Sequence, residues 1–278
     1  MKTLKAFLKN LFVHFKKANT SEKGASLAYY TAFSFIPMII IIISVLGILF
    51  GKEPVAEYVY QQLADNMGTQ ATQQIEALIK NQDLKRHSIS GLVVGFVTLA
   101  LSASGMFNQL HNSFNDLWGI KSVKGKAISQ YLRKHLTSIF LILLVGFLLL
   151  LSTLAHGFLV KYSKHFNTDY RILLVYEHLI ALAVFTFCFS LFFKLLGSAK
   201  VPWKPALAGG LFTAFLFALG KTVIAWYVGY NDVSSAFGSA SALILVMIWV
   251  YYTAQIIFLG AIFVKEWSKC YGYDILPE

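Results

Sequence analysis

Six stretches of this chain are long and apolar enough to cross a bilayer, and they limit its fold more than any other feature. A spanning segment needs about 20 mostly apolar residues, and a helix satisfies its own backbone hydrogen bonds in hydrocarbon. The stretches are residues 27–50, 89–110, 136–160, 172–193, 206–229 and 239–264. Composition agrees, with 57% of residues hydrophobic and 13% charged, whereas soluble domains average about 25% charged. A soluble domain of 278 residues has too much surface for its volume to hide so many apolar side chains. The expected fold class is all-α: a polytopic membrane protein with six transmembrane helices in a single domain over 27–264.

The remaining segments are polar and short. Residues 1–26 are expected to form a cytoplasmic amphipathic helix. In it Leu4, Leu8, Leu11, Phe12 and Phe15 share a face, and Lys2, Lys5, Lys9, Lys16 and Lys17 supply charge. That pattern suits a helix lying in the headgroup plane. The first span is too long for a removable signal peptide and no cleavage site follows it, so it is expected to be retained. Residues 51–88 form an extracytoplasmic loop with two short amphipathic helices, about 54–66 and 69–81. The loop is too small for its own core, so it is expected to cap the outer ends of the spans. Residues 265–278 form a cytoplasmic tail.

Charge sets the orientation. With six spans, the segments on the N-terminal side hold 16 of the 24 Lys and Arg, and those on the other side hold 7. Loops rich in Lys and Arg stay in the cytoplasm, so both termini are expected there. The net charge of +11 falls on that face, where topology and contact with anionic membrane lipids account for it. No nucleic-acid partner is expected. Trp118, Trp203 and Trp267 fall at inner boundaries and Trp226 near the outer one, as an interfacial aromatic belt requires; Trp249 lies in mid-span.

Enzyme signatures are absent. Two cysteines exclude a disulfide scaffold, and the seven histidines show no metal-ligand spacing. There is no phosphate-binding Gly-rich loop and no nucleophile elbow. The chain is expected to have no metal, no cofactor and no catalytic activity. Ionisable residues inside spans are the stronger lead, because each costs at least about 2.5–3.5 kcal/mol at the helix centre. Lys221 lies within the fifth span, and Glu177 enters the fourth at a comparable depth. They are expected to pair or to share a polar cavity, either as an architectural ion pair or as a substrate or proton site. Asn108, Asn112 and Asn115 follow the small residues Ser102, Ser104 and Gly105 and could line a vestibule or a solvated helix end. Pro37 interrupts the first span, and Gly238 opens the sixth; both suit a helix break or close packing. Trp249 and Gln255 are the cavity candidates further down the sixth span.

Four of these stretches carry a resemblance. SLAYYTAFSFIPMIIIIISVLGILFG (26–51), SASGMFNQLHNSFNDLWGI (102–120), KVPWKPALAGGLFTAFLFALGK (200–221) and FGSASALILVMIWVYYTAQIIFLGA (237–261) resemble the YihY/virulence factor BrkB family. Where its members commonly carry Tyr-Gly before the sixth span, this chain has Phe237-Gly238. The resemblance implies a bacterial inner-membrane transporter, with lipid handling in some members; the chain is expected to be a transporter or flippase-like permease for a lipid or small anionic substrate. The rival expectation is a non-transporting scaffold for envelope integrity. The family's old label, ribonuclease BN, finds no support here, because the cytoplasmic acids Glu22, Asp116, Glu266, Asp274 and Glu278 are too scattered for a two-metal site.

Overall fold

The computed structural model describes residues 2–67, 69–83, 89–120, 170–196, 198–230, 241–273 and 275–277. The expected third span (136–160) and Gly238 lie outside the described residues. In chain order the helices are α1 (Lys2–Lys17), α2 (Thr20–Phe50), α3 (Lys52–Met67), α4 (Thr69–Asp83), α5 (Ile89–Trp118), α6 (Tyr170–Leu195), α7 (Trp203–Tyr230) and α8 (Ser241–Cys270). Among the described residues, four helices are long and apolar enough to cross a membrane: Thr20–Phe50, His178–Leu195, Trp203–Ile224 and Leu243–Cys270. The first contains the expected span 27–50, and the other three overlap the expected spans 172–193, 206–229 and 239–264. The second expected span falls inside α5, a continuous 30-residue helix.

Local chemistry places the breaks. Asn19 takes a left-handed φ of 49°, a backbone state that Asn tolerates and that stops a helix. It ends the N-terminal helix early, so α2 begins at Thr20 rather than Leu27. Gly51, at φ 90°, closes the other end of α2 by donating its N–H to the Gly47 carbonyl at 3.0 Å. The helix runs unbroken through Pro37. Ahead of the proline, the Ser34 hydroxyl donates to the carbonyls of Tyr30 and Thr31 at 3.1 and 3.3 Å. These are back-bonds to carbonyls that keep their own helical donors, whereas the carbonyl that Pro37 leaves without an N–H is that of Phe33.

The chain divides into two compact units. One comprises residues 20–110 and 219–255. Its core joins Phe35, Ile36, Ile39 and Ile40 of α2 with Ile75 and Ile79 of α4, Ile224 of α7, and Leu245 and Val246 of α8. The polar insertion 51–88 therefore contributes apolar side chains to a core shared with the long helices. Val59 and Leu63 of α3 pack against the same cluster.

The other unit comprises residues 1–19, 111–218 and 256–278. Phe114 is fully buried at its centre, with ring centroids 5.1 Å from Trp118, 5.6 Å from Phe192 and 6.4 Å from Phe258. Glycines set the helix crossings. A Cβ on Gly209 would overlap Val264 of α8, and one on Gly210 would overlap the Ser190 hydroxyl and lie 2.5 Å from the Thr186 carbonyl of α6. Gly260 packs in the same way onto Thr213 and Phe193. Small residues let membrane helices approach backbone to backbone, where dispersion does the work that hydrophobicity does in water. A two-residue antiparallel ladder, Ala199–Lys200 (β1) with Leu276–Pro277 (β2), ties the segment after α6 to the segment after α8.

Candidate functional site

Polar side chains gather where α5 ends. Gly119, at φ 74°, turns the chain, and the N–H groups of Gly119 and Ile120 return to the carbonyls of Asp116 and Asn115 at 3.1 and 2.8 Å. The Leu117 carbonyl accepts from the Lys265 ammonium of α8 at 2.7 Å, a cation where the helix dipole favours one. The buried Trp118 indole N–H donates to the Ala261 carbonyl at 3.1 Å. Asn115 is buried, and its Oδ1 accepts the Ser198 N–H at 2.9 Å. His111 Nε2 lies 3.2 Å from the Ser198 hydroxyl. The α6–α7 connector is therefore held by Asn115 and His111, and β2 pairs with its next two residues.

A second cluster surrounds Glu266 of α8. Its buried carboxylate lies 3.1 Å from His14 Nδ1 of α1 and accepts from the Lys269 ammonium at 2.9 Å. One turn earlier, the Phe263 ring stands edge-on to Phe7 of α1, centroids 5.3 Å apart. Sequence reasoning counted Glu266 only as a scattered cytoplasmic acid. The available signal was a lone carboxylate closing an apolar helical run, a position that demands a partner when buried.

The expected site residues fall in different settings. Lys221 is exposed on α7, next to Gly220, whose missing Cβ is replaced by the Tyr252 hydroxyl. Glu177 lies on α6, with its side chain outside the described ones. Gln255 is half-buried and donates to the Thr20 carbonyl at 3.0 Å, with its amide against Gly24. Trp249 is half-buried and packs against the α2–α4–α8 core. Asn108 and Asn112 are exposed, so of the three asparagines only Asn115 is buried. Gly105 packs under the Tyr30 ring, where a Cβ would lie 2.5 Å from the nearest ring carbon.

An open groove of about 750 Å³ runs between α3 and α4, lined by Glu53, Glu57, Tyr60, Gln61, Thr72 and Glu76 among others. Lys80 bridges to Glu76 at 2.6 Å, and that hydrogen bond holds its ammonium above the usual lysine range. Among the described residues, no three His, Cys, Asp or Glu side chains are grouped to hold a metal ion.

The model of one protein family, described as virulence factor BrkB, matches residues 11–274. A UPF0761 membrane protein of Saccharophagus degradans is 26% identical over 269 residues, covering 95% of this chain and 60% of its own length. Its counterpart in Pseudomonas paraeruginosa is 26% identical over 267 residues, covering 95% and 62%. One from Mannheimia succiniciproducens is 23% identical over 278 residues, covering 94% and 89%. The chain thus spans about three-fifths of the length of the first two relatives. No solved structure matches it.

Proposed function

The chain belongs to the virulence factor BrkB family of membrane proteins, and on that premise we propose that it is a permease for a lipid or small anionic substrate. The observation that carries this reading is the setting of Lys221. Its ammonium is exposed on a helix apolar enough to span a membrane, between Leu219 and Val223, themselves 52% and 57% exposed. At 1.5 Å per residue it lies roughly 27 Å from the Trp203 end of α7 and roughly 13 Å from the Tyr230 end. A lysine on an apolar spanning helix is costly unless an anion or water meets it. A phosphate or carboxylate group passing along this face would supply that partner. The Lys and Arg asymmetry supports a bacterial inner-membrane location with both termini in the cytoplasm. The chemistry asked of the protein is binding and translocation, with no bond made or broken.

A second reading, a non-transporting scaffold for envelope integrity, draws on the crossings at Gly209, Gly210 and Gly260, where the helices meet with no room for a methyl group. Reconstitution into liposomes with labelled lipids and anionic metabolites separates the two. We expect wild-type protein to move at least one anionic species. Lys221→Met should slow it about tenfold or more, the effect of losing a charge-assisted hydrogen bond worth about 1.5–3 kcal/mol, with Lys221→Arg close to wild type. Full transport by a folded Lys221→Met variant would remove Lys221 from the mechanism. No transport by the wild type would leave the scaffold reading.

A further inference from the structure

The N-terminal helix presents two distinct faces. Its apolar residues form one stripe in the sequence, but the structure divides them. Leu11 is buried, Phe7 meets Phe263, and His14 meets Glu266, so this face belongs to α8. Leu8 and Phe12, each one residue further on and hence about 100° around the helix, are 53% and 60% exposed. Lys5, Lys9 and Lys16 are exposed beyond them, and the Lys16 ammonium lies 4.7 Å from the Phe12 ring centre. No acidic residue occurs on α1. Two exposed apolar side chains bordered by three lysines complement a bilayer surface with anionic headgroups, which takes the rings and methyls below the phosphates and the ammonium groups among them.

We propose that the Leu8–Phe12 face of α1 is a built-in contact for anionic phospholipid, its rotational register fixed by the seating of His14 on the buried Glu266 carboxylate. The seating gives the contact its specificity. A free amphipathic helix would turn all its apolar residues, Leu11 included, toward the bilayer. Here Leu11 is committed to protein, and only the face a quarter to a third of a turn away remains for lipid. The Lys269 ammonium shares the same carboxylate from within α8, so the acceptor keeps a charged partner on its own helix as well as His14 across the contact. The inference concerns lipid contact alone and does not depend on transport.

The test uses the full chain in nanodiscs of phosphatidylcholine, with and without phosphatidylglycerol. Spin labels are attached at Leu8→Cys, Phe12→Cys, Asn10→Cys or Lys17→Cys in a background with Cys188→Ser and Cys270→Ser. Collision with oxygen reports lipid, and collision with a water-soluble nickel chelate reports solvent. We expect oxygen-dominated signals at 8 and 12, deepening when phosphatidylglycerol is added, and nickel-dominated signals at 10 and 17 on the opposite side. Solvent-dominated signals at 8 and 12 in both bilayers would overturn the proposal, as would signals indifferent to phosphatidylglycerol. Glu266→Gln should erase the contrast between 8 or 12 and 10 or 17. If the contrast survives that change in a folded protein, the fixed register is refuted. His14→Ala gives the same readout should the carboxylate variant fail to fold.

Discussion

Replacing Gly210 of α7 by alanine tests the backbone-to-backbone packing most directly. The added methyl carbon would lie 2.5 Å from the Thr186 carbonyl oxygen and 3.0 Å from the Ser190 backbone nitrogen, and would overlap the Ser190 hydroxyl. The hydroxyl could swing away, at the cost of its 2.6 Å bond to the Thr186 carbonyl. The other two atoms belong to the α6 main chain, so relief requires the helices to part by roughly 1 Å, given optimal non-bonded separations near 3.5 Å. Overpacking of this kind costs about 1–3 kcal/mol, and Gly210→Ala should reach the upper end. Gly260→Ala is the control. Its methyl would meet the Thr213 side chain and lie 2.8 Å from the Phe193 ring tip, atoms that can turn, so its cost should be smaller. Thr213→Ala should recover about half of it, since contacting residues couple by about 0.5–3 kcal/mol. The assay is unfolding of the purified full-length protein in mixed detergent micelles, followed by tryptophan fluorescence. A Gly210→Ala protein as resistant as wild type, or Thr213→Ala rescuing Gly210→Ala as well as Gly260→Ala, would refute the reasoning.

The same assay checks two further predictions. Asn115→Ala removes the acceptor of the half-buried Ser198 N–H and should cost about 0.5–1.5 kcal/mol, the net worth of one hydrogen bond; Asn112→Ala, at an exposed position three residues earlier, should stay within about 0.5 kcal/mol of wild type. The Ser268 hydroxyl is buried with no hydrogen-bond partner among the described residues, so Ser268→Ala should be neutral or stabilising, and a loss above about 1 kcal/mol would mean that the hydroxyl has a partner.

Elements with a local physical signature were legible in the sequence; their partners were not. The apolar runs at 27–50, 206–229 and 239–264 identify helices through length and composition alone; α2 and α7 contain the first two, and α8 covers the third from Ser241 onward. The 3.6-residue spacing of Val55, Val59 and Leu63, and of Ile75 and Ile79, marks the two helices of the polar insertion, which the structure has as Lys52–Met67 and Thr69–Asp83. The boundary between α1 and α2 was missed because it depends on one residue, Asn19, adopting a left-handed conformation that no periodicity announces. Longer-range contacts leave even less trace. The contact of His14 with Glu266 joins residues 252 positions apart, and that of Asn115 with Ser198 joins residues 83 apart. Sequence marks both asparagines of the Asn112–Asn115 pair as polar and helical, but not which one a neighbouring loop covers.

The adjacent glycines at 209 and 210 have a mechanical consequence. They bare two neighbouring strips of α7 main chain, one ridden by Val264 of α8 and the other by Ser190 and Thr186 of α6. A side chain at either place could change rotamer and absorb a shift of its neighbour, but glycine has none to change. Around Gly209 and Gly210 the three helices therefore meet on one short stretch of α7, where any adjustment to a shift falls to the side chains of Val264 and Ser190.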